Sequence, residues 1–300
     1  MSLPGEETIK SMAEVLEQNP DELLAMCGKV SSDLIEIILQ DPVETAAMLR
    51  RLSFSSKKRK KQTIPVENQE TLEFFPLESI SLETHTAIIG PSNSGKSILI
   101  RHLIHTYFKN ADIKVYDSDA RPNDWKDLTV KGRKADYEET ALEMAKDLKE
   151  LQHRTELYGD GFDPGNEIVR VVEEWPTTAA SLSEIILKDV PKDIGTTWLK
   201  SMLRRGRKYR MKAFCVAQEF EVNAWKIGGE GGLRNAFTVL YLGKSARTAL
   251  RKVSDKDLKA QLKKHFDSVQ YPCLADVQGQ FYPVLIPDLS GASSKKKKKS

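Results

Sequence analysis

Short apolar runs separated by longer amphipathic stretches dominate the chain from about residue 72 to 287. The runs lie at 86–89, 113–116, 168–172, 213–217 and 237–242, each four to six residues long and rich in Val, Ile, Ala and Phe. Short runs that are apolar at most positions suit strands buried on both faces. Between them, 97–108, 136–158 and 196–210 carry apolar residues at helical spacing. Strands alternating with helices predict a parallel sheet covered by helices on both sides. The stretch 271–286 predicts a closing hairpin or strand pair, and 288–300 reads as a disordered Lys-rich tail.

The first fifty residues follow a different pattern. Asn19-Pro20 and Asp41-Pro42 place a capping side chain before a proline, and Asp33 with Glu36 forms a variant of the capping box. We therefore expect a small all-α module over 1–52 that can bind a protein partner. Residues 53–70 are polar and basic with one proline, the composition of a linker, and 71–287 form the main domain.

Composition narrows the setting. The 300 residues hold Lys+Arg 46 against Asp+Glu 43, a formal charge of +3. That near-balance conceals an acidic start (ten acids and three bases in residues 1–50) and two runs of five basic residues, 57–61 and 295–299. The remainder is neutral, so the runs suggest contact with a polyanion, or else solvated appendages. No apolar run approaches the roughly 18 residues that span a bilayer, so no membrane insertion is expected. Cys27, Cys215 and Cys273 are odd in number and far apart, which supports neither a disulfide framework nor a zinc cluster. A reducing, cytoplasmic location fits.

The sharpest chemical signal is Gly90-Pro91-Ser92-Asn93-Ser94-Gly95-Lys96-Ser97. It matches GxxxxGK[ST] between a strand and an apolar helix, the context a phosphate loop requires. Backbone amides near Gly95 and the helix N-terminus would cradle a phosphate. Lys96 would neutralise the β and γ oxygens, and Ser97 would ligate Mg2+. The strand 168–172 ends in Glu173-Glu174, which at the carboxyl edge of a parallel sheet would face those phosphates. Glu173 would hold Mg2+ through water and Glu174 would act as general base. The strand 213–217 then ends in Gln218, placed to sense the γ-phosphate. This order belongs to ATPases with an added strand and a catalytic glutamate. No Asn-Lys-x-Asp segment for reading guanine is present.

Residues 196–212 contain no acid but carry Arg204 and Arg207 among seven basic side chains. These could meet DNA phosphates or reach a neighbouring subunit's nucleotide as an arginine finger. Arg234 is a third candidate. A P-loop kinase with 204–210 as an arginine-rich lid is an alternative that Glu173-Glu174 and Gln218 disfavour.

The phosphate loop, Glu173-Glu174-Trp175-Pro176, Gly206-Arg207-Lys208 before the Gln218 strand, and the 229–238 segment together resemble the FtsK–HerA superfamily. Within it, the similarity is to small FtsK/TraG-like ATPases of bacterial plasmids and mobile elements. The resemblance covers roughly 75–250. It implies a RecA-like, ASCE-type three-layer sandwich, ATP and Mg2+ as ligands, a hexameric ring and double-stranded DNA as cargo. Carried over by position, Lys96 and Ser97 bind phosphate and Mg2+, Glu174 is the catalytic glutamate and Gln218 the sensor. The family usually has aspartate where Glu173 stands, which can slow turnover or alter metal geometry. An ATP-driven DNA motor is thus the leading expectation. An ATP-dependent assembly switch, docking a partner through 1–52, is the alternative.

Overall fold

The computed structural model describes residues 72–82, 85–228, 230 and 232–287. The expected helical module at 1–52, the linker at 53–70 and the tail at 288–300 lie outside the described residues. Among the described residues eight strands form one sheet: β1 (His85–Ile89), β2 (Asp112–Tyr116), β3 (Thr129–Lys131), β4 (Ile168–Val172), β5 (Met211–Ala217), β6 (Phe237–Leu242), β7 (Cys273–Val277) and β8 (Gln280–Pro283). Their order across the sheet is β3-β2-β4-β5-β1-β6-β7-β8. The first six pair in parallel, and β7 and β8 close the edge antiparallel.

Alternate residues of the central strands enter opposite cores, which is why the strands read as largely apolar runs rather than as alternating ones. Val169, Val171, Phe214, Val216 and Leu240 face a layer containing α2 (Lys96–Tyr107). Val172, Ala213, Cys215, Val239 and Tyr241 face the other layer. That second layer holds α3 (Tyr137–Gly159), α4 (Trp175–Leu182), α5 (Ile194–Arg205), α6 (Lys244–Ala249) and α7 (Lys256–Ser268). A four-residue turn, α1 (Ser79–Leu82), precedes β1. The molecule is thus an α/β P-loop sandwich of three layers, as expected.

The added strand is explicit. β5 lies between β1, which leads into the phosphate loop, and β4, which leads into the two glutamates. A charged side chain in the middle of β4 is also accounted for. Buried Arg170 donates from Nε to Asp147 Oδ1 at 2.8 Å and from Nη2 to Asp112 Oδ2 at 2.8 Å. Asp147 also accepts from Tyr116 Oη at 2.6 Å and Trp198 Nε1 at 3.1 Å. The buried carboxylate therefore has three donors, which offsets its desolvation and ties β2, β4, α3 and α5 together.

Two helix boundaries differ from expectation in an informative way. The helix expected over 196–210 ends at Arg205, followed by a 3-10 turn over Gly206–Tyr209. At Gly206 a β-carbon would lie 2.5 Å from Met211 O and 3.0 Å from His85 Cε1, so only glycine lets the chain turn back here into β5. The helix expected over 136–158 begins at Tyr137, because Asp136 caps it by accepting from Glu139 N at 2.9 Å.

His85 carries a pH dependence of stability. Its ring is buried, its Nδ1 accepts from Ala213 N at 3.1 Å, and burial lowers its pKa from 6.5 to about 3, with Lys212 pushing the same way. The unfolded chain takes up a proton between those values that the folded chain refuses, so stability falls as pH drops through that window. We expect His85→Asn to flatten the slope of unfolding free energy against pH by about 1.4 kcal/mol per unit, the weight of one proton. Urea titrations at several pH values between 6 and 4 check this, and an unchanged slope contradicts it.

Candidate active site

The phosphate loop begins where β1 ends. Gly90 N donates to Ala217 O at 3.1 Å, pinning the loop's entry to the tip of β5. A β-carbon at Gly90 would meet Ser94 Oγ at 2.4 Å and Leu242 Cβ at 3.2 Å, so a larger residue here would crowd the closed loop. Asn93 (φ 63°) and Gly95 (φ 88°) are left-handed and turn the loop around a concave row of amides. No side chain caps α2 at Gly95, which leaves the helix's first amides to a ligand. Lys96, 8% exposed, folds back so that Nζ donates to Gly90 O at 2.7 Å and Pro91 O at 3.2 Å.

Glu173 follows β4 directly and is held at both backbone ends. Its N–H donates to Tyr116 O at 3.0 Å, and its carbonyl accepts from Thr178 Oγ1 at 3.0 Å. Its Oε1 accepts from Ser97 Oγ at 2.9 Å. Burial pushes the Glu173 carboxyl up to about 7, opposed by the Ser97 hydrogen bond and Lys96 and reinforced by the charges of Asp117 and Glu174. A carboxylate so poorly compensated has an incentive to take a cation. Ser97 and Glu173 supply adjacent hard oxygens of the kind Mg2+ accepts alongside phosphate and water, so the residues present fit the expected metal.

Glu174 stands at the N-cap of α4 with φ 43° and ψ 57°. This left-handed conformation costs a non-glycine residue about 1 kcal/mol or more and persists only where neighbours impose it. Here Pro176 sits in the first turn of α4, and buried Trp175 donates from Nε1 to Trp225 O at 3.2 Å. Those anchors aim the Glu173-Glu174 pair into a cleft of about 350 Å³ that also holds Ser97, Arg101 and Asp117. Gln218 follows β5 and is exposed at the same edge, between the loop strand and the carboxylate strand.

The three arginines are elsewhere. Arg207 lies in the turn that enters β5, and Arg234 in a 3-10 turn (Leu233–Ala236) that enters β6. Arg204 is in the last turn of α5. All three therefore mark the amino edge of the parallel strands, opposite the phosphate loop. Arg204 pairs with Glu230, which Lys200 also binds at 3.0 Å, and Arg234 pairs with Asp276 at 3.0 Å. Within one chain none of them joins Lys96 and Glu174.

One further site residue, Asp117, belongs to none of the sequence motifs. It follows β2 just as Glu173 follows β4, and it faces the same cleft. Trp125 Nε1 donates to its Oδ2 at 2.7 Å and Asp119 N to its Oδ1 at 3.0 Å. An acid immediately behind an apolar strand is the signal that could have found it.

No family model and no curated protein matches the chain. Similar solved structures include the pCW3 conjugation coupling protein TcpA with ATPγS, at 14% identity and a TM-score of 0.49 over 67% of this chain and 59% of that one. The cytoplasmic domain of the Thermomonospora curvata type VII secretion ATPase EccC matches at 14% identity and a TM-score of 0.41, over 53% of this chain and 20% of that one. B204, the DNA-packaging ATPase of Sulfolobus turreted icosahedral virus, matches at 11% identity and a TM-score of 0.40, over 68% and 98%. The chain thus spans less than two thirds of TcpA and a fifth of EccC. Independently of these likenesses, strand order and loop geometry define the site. It is a P-loop site with an added strand. Among the described residues no helix is long and apolar enough to cross a membrane.

Proposed function

We propose that the chain is an ATPase of the FtsK–HerA type that uses Mg2+ and ATP to move double-stranded DNA, acting as a homo-oligomeric, hexameric ring in plasmid or mobile-element transfer or maintenance. The observation that carries the ATPase reading is the convergence of three strand tips at one edge: the phosphate loop after β1, Gln218 after β5 and Glu173-Glu174 after β4. In mechanism, Lys96 and the loop amides hold the phosphates. Ser97 and Glu173 would hold Mg2+, which when bound would supply positive charge to offset that of the phosphates. Glu174 accepts the proton of the attacking water, and Gln218 fixes the geometry of the γ-phosphoryl group. A guanidinium from a neighbouring subunit, Arg204, Arg207 or Arg234, would complete the charge stabilisation. Arg207 suits this best, since Arg204 and Arg234 are already paired with acids.

The DNA reading is supported by the exposed basic turn at the amino edge, where Arg205, Arg207 and Lys208 lie together. It is supported too by the basic runs at 57–61 and 295–299. Removing Lys295–Lys299 and neutralising Lys57–Lys61 should weaken duplex binding and lower its log–log salt slope by about 0.9 for each phosphate no longer neutralised. DNA-free ATP turnover should stay unchanged. An unaltered slope would move the DNA-binding surface to residues 200–212.

ATP-driven displacement of a third strand from a triplex, run beside native mass measurement with nucleotide, tests the motor reading. Displacement by wild-type protein, absent in Glu174→Gln, together with a hexameric mass is expected. ATP turnover without displacement would favour the assembly switch docked through residues 1–52.

A further inference from the structure

A second cleft flanks the phosphate loop on the side away from the glutamates. It measures about 310 Å³ and runs from Ser92 and Ser94 past Gly243 to Tyr271, Pro272 and Ile286. Its position follows from the sheet order, because β4 and β6 lie on opposite sides of β1. A nucleotide whose terminal phosphate points at Glu174 must send its ribose and base the other way, toward the tips of β6 and β7. The volume lies at the small end of the roughly 300–1,000 Å³ usual for ligand pockets.

The walls suit the face of an aromatic base. Tyr271 lines the cleft and is 60% exposed, so its ring is accessible to a stacking ligand. Pro272 and Ile286 add apolar surface beside it. The cleft is also preformed. Gly243 N donates to Pro272 O at 2.9 Å, stitching the β6 exit to the β7 entry. Gly243 adopts φ 59° and ψ −123°, a conformation reserved for glycine, and a β-carbon there would lie 3.8 Å from Ser94 Cβ. The wall is therefore fixed beside the phosphate loop.

No acidic side chain of the described residues lines this cleft. Among the described residues guanine's N1–H and N2 donors would meet no carboxylate, and stacking on an aromatic ring discriminates little between bases. We propose that this cleft receives the base of the bound nucleotide, with Tyr271 as its stacking platform, and that it takes purines with little preference between adenine and guanine. This rests on the reading of residues 90–97 as a nucleotide site given above.

Equilibrium affinities for ATP, GTP and inorganic tripolyphosphate, measured by calorimetry on wild-type protein and on Tyr271→Ala, Tyr271→Phe and Lys96→Ala, test it. We expect ATP and GTP to bind wild-type protein within about tenfold of each other. Tyr271→Ala should weaken both by about tenfold, the size of one base–aromatic stack, and leave tripolyphosphate unchanged. Tyr271→Phe should bind like wild type. Unchanged ATP affinity in Tyr271→Ala, an equal loss for tripolyphosphate, or a GTP affinity more than about a hundredfold weaker than that of ATP would each overturn the assignment. Tight tripolyphosphate binding retained by Lys96→Ala would instead overturn the nucleotide site itself. Tyr271 is exposed and outside the core, so its replacement leaves the fold intact.

Discussion

Lys96→Ala should lower ATP turnover by roughly 10²–10³-fold, the loss that follows removal of one preorganised charge stabiliser from a transition state. The ammonium is the only part of the phosphate loop that carries a full positive charge, since the remaining donors of 90–97 are amides and hydroxyls. It is held by Gly90 O and Pro91 O, at 2.7 and 3.2 Å, so it already lies over the concave side of the loop. Those two bonds are with the loop's own carbonyls, so the substitution should disturb the loop locally and spare the sheet. Steady-state phosphate release checks the prediction. Near wild-type turnover would remove the phosphate loop from the mechanism.

The two glutamates should separate cleanly. Glu174→Gln should retain ATP binding but lose about 10²–10⁴-fold in turnover, because an amide cannot accept the water's proton. Its backbone conformation, fixed by Trp175 and Pro176, does not depend on the charge, so the substituted side chain should stand where the carboxylate stood. Glu173→Gln should act through the metal instead. It keeps a partner for Ser97 Oγ but removes the anionic oxygen, so the Mg2+ concentration for half-maximal turnover should rise. Glu173→Asp should be tolerated or faster, as a shorter acid matches the residue usual in the resembled family. Turnover against Mg2+ concentration for each variant decides the matter. Exchanged phenotypes would reverse the two roles.

The parts of this molecule that are legible in the sequence are those governed by local pattern. Strands β1, β4, β5 and β6 are buried along their whole length, so each reads as a mostly apolar run with clear ends. The polar residues behind those ends, Gly90, Glu173 and Gln218, are therefore recognisable as edge residues from the run boundaries alone. The short β3 is not, because Thr129–Lys131 is three residues long and only partly covered. Helix α7 leaves as weak a trace, since only Leu262 and Phe266 of Lys256–Ser268 are buried. Asp117 carries no motif. It joins the site only because β2 pairs with β4 and brings its tip beside Glu173, a neighbourhood set by sheet order. The same holds for the arginines. Their density near residue 204 suggests proximity to phosphate, but each precedes a strand and so stands at the opposite edge from groups that follow one. Arg170 is a further instance, because a charge inside an apolar strand is explained by Asp147 on α3 and Asp112 on β2, partners that the local pattern does not show.

The central claim is that this edge hydrolyses ATP and that DNA drives it to do so. The most direct measurement is phosphate release from Mg2+ and ATP by the full chain, with and without double-stranded DNA, at one salt concentration. The account predicts hydrolysis that duplex DNA raises severalfold and that Glu174→Gln abolishes under both conditions. Hydrolysis indifferent to DNA would contradict the motor, and no hydrolysis in either condition would contradict the site.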